Sequence, residues 1–111
     1  MRDNEVVYIP MGLVHQRELV ADFERAKAKL GPEVAHVAYR IREDSTGVPS
    51  IFFRITLFDW ATAESTLMDV TGHIETILFD EIRPVENCGL LPYFNFRSFS
   101  EQQKRPNPDW V

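Results

Sequence analysis

The sequence predicts an α+β domain in which two helices cover one face of a four-stranded antiparallel sheet. Two stretches repeat apolar residues at three- and four-residue steps, which is typical of amphipathic helices. Four shorter stretches either alternate apolar with polar residues or are rich in β-branched and aromatic residues, as strands are. The predicted order along the chain is therefore strand, helix, strand, strand, helix, strand.

Residues that break or cap regular structure mark the ends of these elements. Gly31-Pro32 ends the first helix, because glycine and proline stop a helix well. Asp59 or Thr62 caps the second helix through its side-chain oxygen, and Pro84 ends that helix. The predicted strands are residues 5–9, 34–43, 51–57 and 91–98, and the first predicted helix is residues 13–30.

Gly72 lies inside the second predicted helix. A glycine in a helix interior costs about 1 kcal/mol relative to alanine. We therefore expect a compensating close approach of the helix to the sheet or to the other helix at this position.

The order and handedness of the elements predict where the helices lie. The order is that of the ferredoxin-like βαββαβ fold, in which right-handed crossovers place both helices on the same side of the sheet. The opposite face is then uncovered. We expect residues 1–99 to form this single domain and residues 100–111 to form a polar, proline-containing tail. Trp110 is unusual in such a tail, and we expect it to dock on the domain or in a groove of a partner.

The uncovered face is predicted to be an arginine-aromatic surface. In the last strand, LPYFNFRS, Phe94 and Phe96 point to the helices and the residues between them point away. The same alternation brings several arginines to this face, although the formal net charge of the chain is −5. The candidate binding surface consists of Tyr8, Arg40, Arg42, Phe52, Arg54, Tyr93, Asn95 and Arg97, with Trp110 as the tail contact.

Composition narrows the classes of function. The net charge of −5 disfavours sequence-independent binding of nucleic acid or of an anionic membrane. The chain has no apolar run long enough for a bilayer and no signal-peptide pattern, and its single cysteine, Cys88, fits a reducing compartment. We therefore expect a cytoplasmic protein with no membrane partner. His15, His36 and His73 share no metal-ligand spacing, so we predict no metal, no cofactor and no catalytic residue.

Two interpretations of the arginine-aromatic face follow. It can be a solvated sheet face on which arginine side chains lie over aromatic rings. It can equally be a recognition surface, since arginine and aromatic residues are enriched at the centres of protein interfaces. We expect a non-enzymatic binding domain that forms a homodimer through this face or binds a protein partner there.

A nucleic-acid partner is the first alternative. The element order is also that of the RNA recognition motif, and Val7-Tyr8-Ile9 resembles the first-strand motif of that family, which implies that Tyr8 stacks on a base. The third predicted strand offers Phe52 outward but lacks the family's glycine. Without the first strand, the remaining order would resemble type II KH domains and ribosome-binding factor A, although no Gly-x-x-Gly loop is present.

A small-molecule enzyme is the second alternative. Leu57-Phe58-Asp59-Trp60 leads into a helix that contains His73. This placement resembles the Trp-then-His arrangement of the dimeric α+β barrels that include antibiotic-biosynthesis monooxygenases. The resemblance implies a cavity on the sheet face, where guanidinium groups could hold an anionic small molecule.

Overall fold

The computed structural model describes residues 16–111, so the predicted first strand and Tyr8 lie outside the described residues. Two short 3-10 turns, Asp59–Thr62 and Pro108–Trp110, and a π-helical turn, Pro84–Cys88, accompany the main elements. Those elements are helix α1 (Gln16–Lys29), strands β1 (Val34–Glu43) and β2 (Pro49–Leu57), helix α2 (Leu67–Ile82), strand β3 (Leu91–Ser98) and helix α3 (Phe99–Lys104).

The sheet of the described residues has three strands in the order β1-β2-β3 and is mixed. Strand β1 pairs with β2 in the antiparallel direction, as expected of a hairpin, and Tyr39 lies opposite Phe53. Strand β3 pairs with the other edge of β2 in the parallel direction, and Phe53 lies opposite Phe94.

The prediction of a ferredoxin-like, four-stranded antiparallel sheet is therefore wrong, although the fold is α+β overall. The difference arises at β3, which returns through α2 to lie beside β2 and to run in the same direction. A helical crossover is the usual connection between parallel neighbours. Side chains alternate between the two faces equally in parallel and antiparallel strands, so the pattern of LPYFNFRS does not reveal the strand's direction.

The core lies between one face of the sheet and helices α1 and α2. The odd-numbered residues of β2 have their side chains here, and Ile51, Phe53 and Ile55 are fully buried. Leu19 and Phe23 of α1 and Ile74, Leu78 and Ile82 of α2 complete the same cluster. Both helices therefore cover this face, and Lys29 and Arg25 of α1 pair with Glu81 of α2 at the rim.

Gly72 does not make the predicted close approach. A Cβ atom built on this residue would meet no atom within 4 Å. The helix therefore carries the conformational cost of glycine at an exposed position with no packing in return.

The C-terminal segment, residues 99–111, folds back onto the sheet. Ser98 Oγ accepts a hydrogen bond from the Glu101 backbone N–H and caps α3, and Asp59 Oδ1 accepts one from the Ser100 N–H. The 3-10 turn that follows, Pro108–Trp110, packs on β1 and β2. The far side of the sheet is thus partly covered by the chain's own last residues. Among the helices of residues 16–111, none is both long enough and apolar enough to cross a membrane.

Candidate functional site

The arginine-aromatic face is the sheet face opposite α1 and α2. The strand registers place Arg40 of β1, Phe52 of β2 and Tyr93 of β3 in one row across it. The next row contains Ala38, Arg54 and Asn95. Arg42 and Arg97 lie on the same face at its two ends, so seven of the eight predicted surface residues come together. The eighth, Tyr8, lies outside the described residues.

The C-terminal segment covers part of this face and contacts all three of its strands. Arg40 Nη2 donates a hydrogen bond of 3.2 Å to the Pro108 carbonyl oxygen. Arg42 Nη1 lies 3.8 Å from the Asp109 carboxylate. Trp110 packs against β1 and β2, and only 7% of its surface is exposed. The segment therefore presents a carbonyl, a carboxylate and an indole to the arginines.

Trp110 lies between two guanidinium groups. The guanidinium carbon of Arg54 is 5.7 Å from the indole centroid, and that of Arg97 is 5.5 Å from it. Arg97 is fixed by hydrogen bonds to Gln102 Oε1 and to the Arg105 carbonyl oxygen. Cation–π contacts of this kind stabilise by about 0.5–1 kcal/mol each at exposed sites, and by more when water is excluded.

The uncovered part of the face is a row of stacked groups. The guanidinium carbon of Arg42 lies 4.7 Å from the Phe52 ring centroid. Phe52 and Tyr93 stack with their centroids 4.9 Å apart and their planes at 9°. Since each ring is stacked on its neighbour, the aromatic faces point along the sheet surface and not out into solvent.

Asp44, in the turn between β1 and β2, closes the end of this row. Its carboxylate accepts hydrogen bonds from the Thr46 hydroxyl, from backbone N–H groups of the turn and from the Tyr93 hydroxyl. These bonds, with Thr46 the largest contributor, hold the pKa of Asp44 well below its usual value. The hydrogen bond to Asp44 also raises the pKa of Tyr93, because the Tyr93 hydroxyl must remain protonated to donate it.

Arg54, like Arg40, has no carboxylate partner among the described residues, whereas Arg42 and Arg97 have one each. Arg54 Nη1 donates a 3.2 Å hydrogen bond to Asn95 Oδ1, and its Nε is buried without an acceptor. Burial lowers the pKa of Arg54, and the charges of Arg42 and Arg40 act in the same direction while Asp109 opposes them. The group remains charged, since arginine does not deprotonate in proteins.

A separate cavity of about 350 Å³ lies where the C-terminal segment meets the end of the sheet. Thr56 lines it, and this residue is 3% exposed, with no hydrogen-bond partner for its Oγ1 among the described residues. A buried hydroxyl without a partner costs about 1–3 kcal/mol. The lining residues are Ala35, His36, Thr56, Phe99, Gln102, Gln103, Pro106, Trp110 and Val111.

The remaining chemistry-bearing residues do not assemble into a second site within residues 16–111. No group of three or more His, Cys, Asp or Glu side chains in this range could hold a metal ion. Cys88 is buried beside α1, and burial raises the pKa of its thiol, which disfavours the reactive thiolate. Trp60, the tryptophan of the enzyme alternative, is 63% exposed and lines no cavity described above.

Three contributors to the site were not predicted from the sequence. Asp44 and Asp109 supply the carboxylates at the two ends of the row, and Gln102 holds Arg97. Asp44 has a signal in the sequence, since aspartate is common at the first position of a turn. The roles of Asp109 and Gln102 depend on where the C-terminal segment docks, which no local pattern encodes. Comparisons with protein-family models, with curated proteins and with solved structures find no match to this chain.

Proposed function

We propose that this chain is a small non-enzymatic binding domain whose arginine-aromatic face binds an acidic segment of a protein partner. The observation that carries the proposal is Arg54, a partly buried guanidinium with no carboxylate partner among the described residues. A buried charge is costly unless it is paired. A carboxylate supplied by a partner would satisfy it and would gain from the charges of Arg40 and Arg42 beside it.

The C-terminal segment supports this choice of ligand. It already meets the face with a backbone carbonyl on Arg40, a carboxylate near Arg42 and an aromatic ring on Arg54. These groups are those of a short acidic and aromatic peptide. Part of the face thus contacts such a peptide within the chain itself, and the uncovered part offers the same chemistry to a second one.

The arrangement of the rings favours protein over nucleic acid. Single-stranded nucleic acid binds by stacking its bases on exposed aromatic faces. Here Phe52 stacks on Tyr93, and Arg42 lies over Phe52, so these ring faces are already in contact with neighbours. The net charge of −5 also repels a phosphate backbone at long range.

Self-association through the same face is the homodimeric form of this proposal. A second copy carries many carboxylates, since the chain has 17 Asp and Glu residues. We place the protein in the cytoplasm, where its single cysteine would remain reduced.

The test uses fluorescence anisotropy with three labelled probes on the full chain: a peptide of alternating Glu and Trp, its Lys and Trp counterpart, and an oligothymidine. We expect the Glu peptide alone to bind the wild type. Arg54→Gln should weaken that binding by about tenfold or more, as expected for loss of a charged hydrogen-bond partner. Lys27→Gln, which removes a cation from the surface of α1, should leave it unchanged.

Three outcomes would contradict the proposal. They are no binding of the Glu peptide, equal binding by Arg54→Gln, and preferential binding of the oligothymidine. Light scattering on the same samples addresses self-association. A wild-type dimer that dissociates when Phe52 and Tyr93 are both changed to Glu would assign the face to a second copy of the chain.

A further inference from the structure

The cavity at the edge of the C-terminal segment is separate from the arginine-aromatic face in chemistry. Its volume of about 350 Å³ falls within the range of small-molecule pockets, about 300–1,000 Å³. Its floor is the end of β1 and β2, at Ala35 and Thr56, and its walls are α3 and the residues that follow it. Two secondary-structure layers therefore form it, as in many ligand sites.

The walls select an uncharged ligand. Phe99, Pro106 and the indole of Trp110 supply apolar surface. None of the described lining residues is Asp, Glu, Lys or Arg, in contrast to the arginine row beside them. An anionic ligand would lose its hydration here without gaining a Lys or Arg partner. An aromatic or aliphatic ligand would lose nothing by leaving water.

One polar group in the floor lacks a partner. The floor residue Thr56 is 3% exposed, and its Oγ1 is closed off from solvent and bonds to none of the described residues, so a ligand does not reach it. The polar groups that a ligand can reach are the exposed His36 ring and Gln103 amide, which offer hydrogen bonds to one hydroxyl or carbonyl group.

We infer that this cavity binds a small neutral molecule with an aromatic or aliphatic body and one hydroxyl or carbonyl group. Trp110 serves two sites at once in this arrangement. Its indole contacts Arg54 and Arg97, and the residue also lines the cavity. The inference does not depend on the binding of an acidic partner, since it uses neither the arginines nor their anion.

The fluorescence of Trp110 can report ligand binding in this cavity. The chain has two tryptophans, so Trp60→Phe leaves Trp110 as the sole indole, and Trp60 is itself exposed and does not line the cavity. In this variant of the full chain, 2-phenylethanol is titrated while Trp110 emission is recorded. Ethylbenzene, which lacks the hydroxyl, and phenylacetate, which carries a charge, are the matched probes.

We expect a saturable change of Trp110 emission with 2-phenylethanol, weaker binding of ethylbenzene and no saturable change with phenylacetate. Ala35→Leu, which fills the floor, should abolish the response. The double variant with His36→Phe and Gln103→Met keeps side chains of similar size and removes both polar groups, so it should weaken 2-phenylethanol at least threefold and leave ethylbenzene unchanged.

Each contrary result overturns the inference. These are no saturable response to either neutral probe, the same response in Ala35→Leu as in its parent, and phenylacetate binding as well as the alcohol. If Ala35→Leu fails to fold by circular dichroism, the double variant with His36→Phe and Gln103→Met decides alone. Equal loss of binding for both neutral probes, or loss for neither, contradicts the role assigned to the two polar groups.

Discussion

Gly72 and Gly47 show how differently the same residue type is used in this chain. Gly72 lies in α2, where a Cβ would meet no atom within 4 Å. Gly47 lies in the turn between β1 and β2 with φ of +86°, and a Cβ there would also meet nothing. Space is available at both positions, so only backbone conformation distinguishes them.

We therefore expect opposite effects of one substitution. Gly72→Ala should raise the free energy of unfolding by about 0.5–1 kcal/mol, because alanine loses less backbone entropy in a helix. Gly47→Ala should lower it by about 1 kcal/mol, because a side chain is strained at positive φ. Urea denaturation followed by circular dichroism measures both. A destabilised Gly72→Ala would mean that α2 has a contact at this position that the structure does not show.

At the scale of single side chains, the sequence predicts the site well where the information is local. Alternation along a strand fixes which residues share a face, and it correctly groups Arg40, Phe52 and Tyr93. The prediction of close packing at Gly72 is wrong, because a glycine allows another element to approach closely but does not require it.

At the scale of elements, the sequence predicts extents better than arrangement. Strand Val34–Glu43 has its predicted bounds, because its alternating pattern and flanking turn residues are local. The direction of β3 and its neighbour are set by contacts between distant parts of the chain, so the same eight residues fit either an antiparallel or a parallel strand. The docked position of the C-terminal segment is equally nonlocal.

The C-terminal segment is the element whose docking is easiest to release. Its last residues are held by Trp110, by the Arg40 bond to Pro108 and by the contact of Asp109 with Arg42. Hydrogen bonds of Arg97 and Asp59 hold α3 and the residue after it. Trp110→Ala removes the largest of these contacts. It should lower the free energy of local opening by about 2 kcal/mol or more, since truncation of a well-buried large side chain costs at least that.

Trypsin reports this opening. Cleavage after Lys104 should become about 30-fold faster in Trp110→Ala, which is the factor equivalent to 2 kcal/mol. Trp60→Ala is the matched control, because Trp60 is 63% exposed and its loss should leave cleavage at Lys104 unchanged. Equal rates for wild type and Trp110→Ala would show that the indole does not hold the segment.

At the scale of the whole molecule, one aromatic cluster joins the elements. The Phe53 ring, 0% exposed, lies 5.3 Å from the ring of Phe94 in β3 and 6.5 Å from that of Phe23 in α1. Phe23 in turn meets Tyr39 of β1 edge-on at 4.7 Å. A residue of the central strand thus contacts a helix and a neighbouring strand at once, whereas Trp110 contacts only the opposite face.

Truncation of Phe53 should therefore affect global unfolding, whereas truncation of Trp110 should affect local opening of the C-terminal segment. Phe53→Ala should lower the global free energy of unfolding by about 3–5 kcal/mol, because a cavity would open where α1, β2 and β3 meet. Small domains are stable by only about 5–15 kcal/mol in total, so the variant should be only marginally stable. Its transition should remain single, since Phe53 lies in the core where α1, β2 and β3 meet.

Urea denaturation followed at the same time by circular dichroism and by Trp110 emission, in the Trp60→Phe background, separates the two cases. In Phe53→Ala both signals should shift together to lower urea. Phe79→Ala, the same truncation at a residue of α2 that is 39% exposed, should shift them by less than about 1 kcal/mol. If Trp110 emission instead kept its wild-type midpoint while circular dichroism shifted, the C-terminal segment and the face it covers would form a unit that is stable without the core.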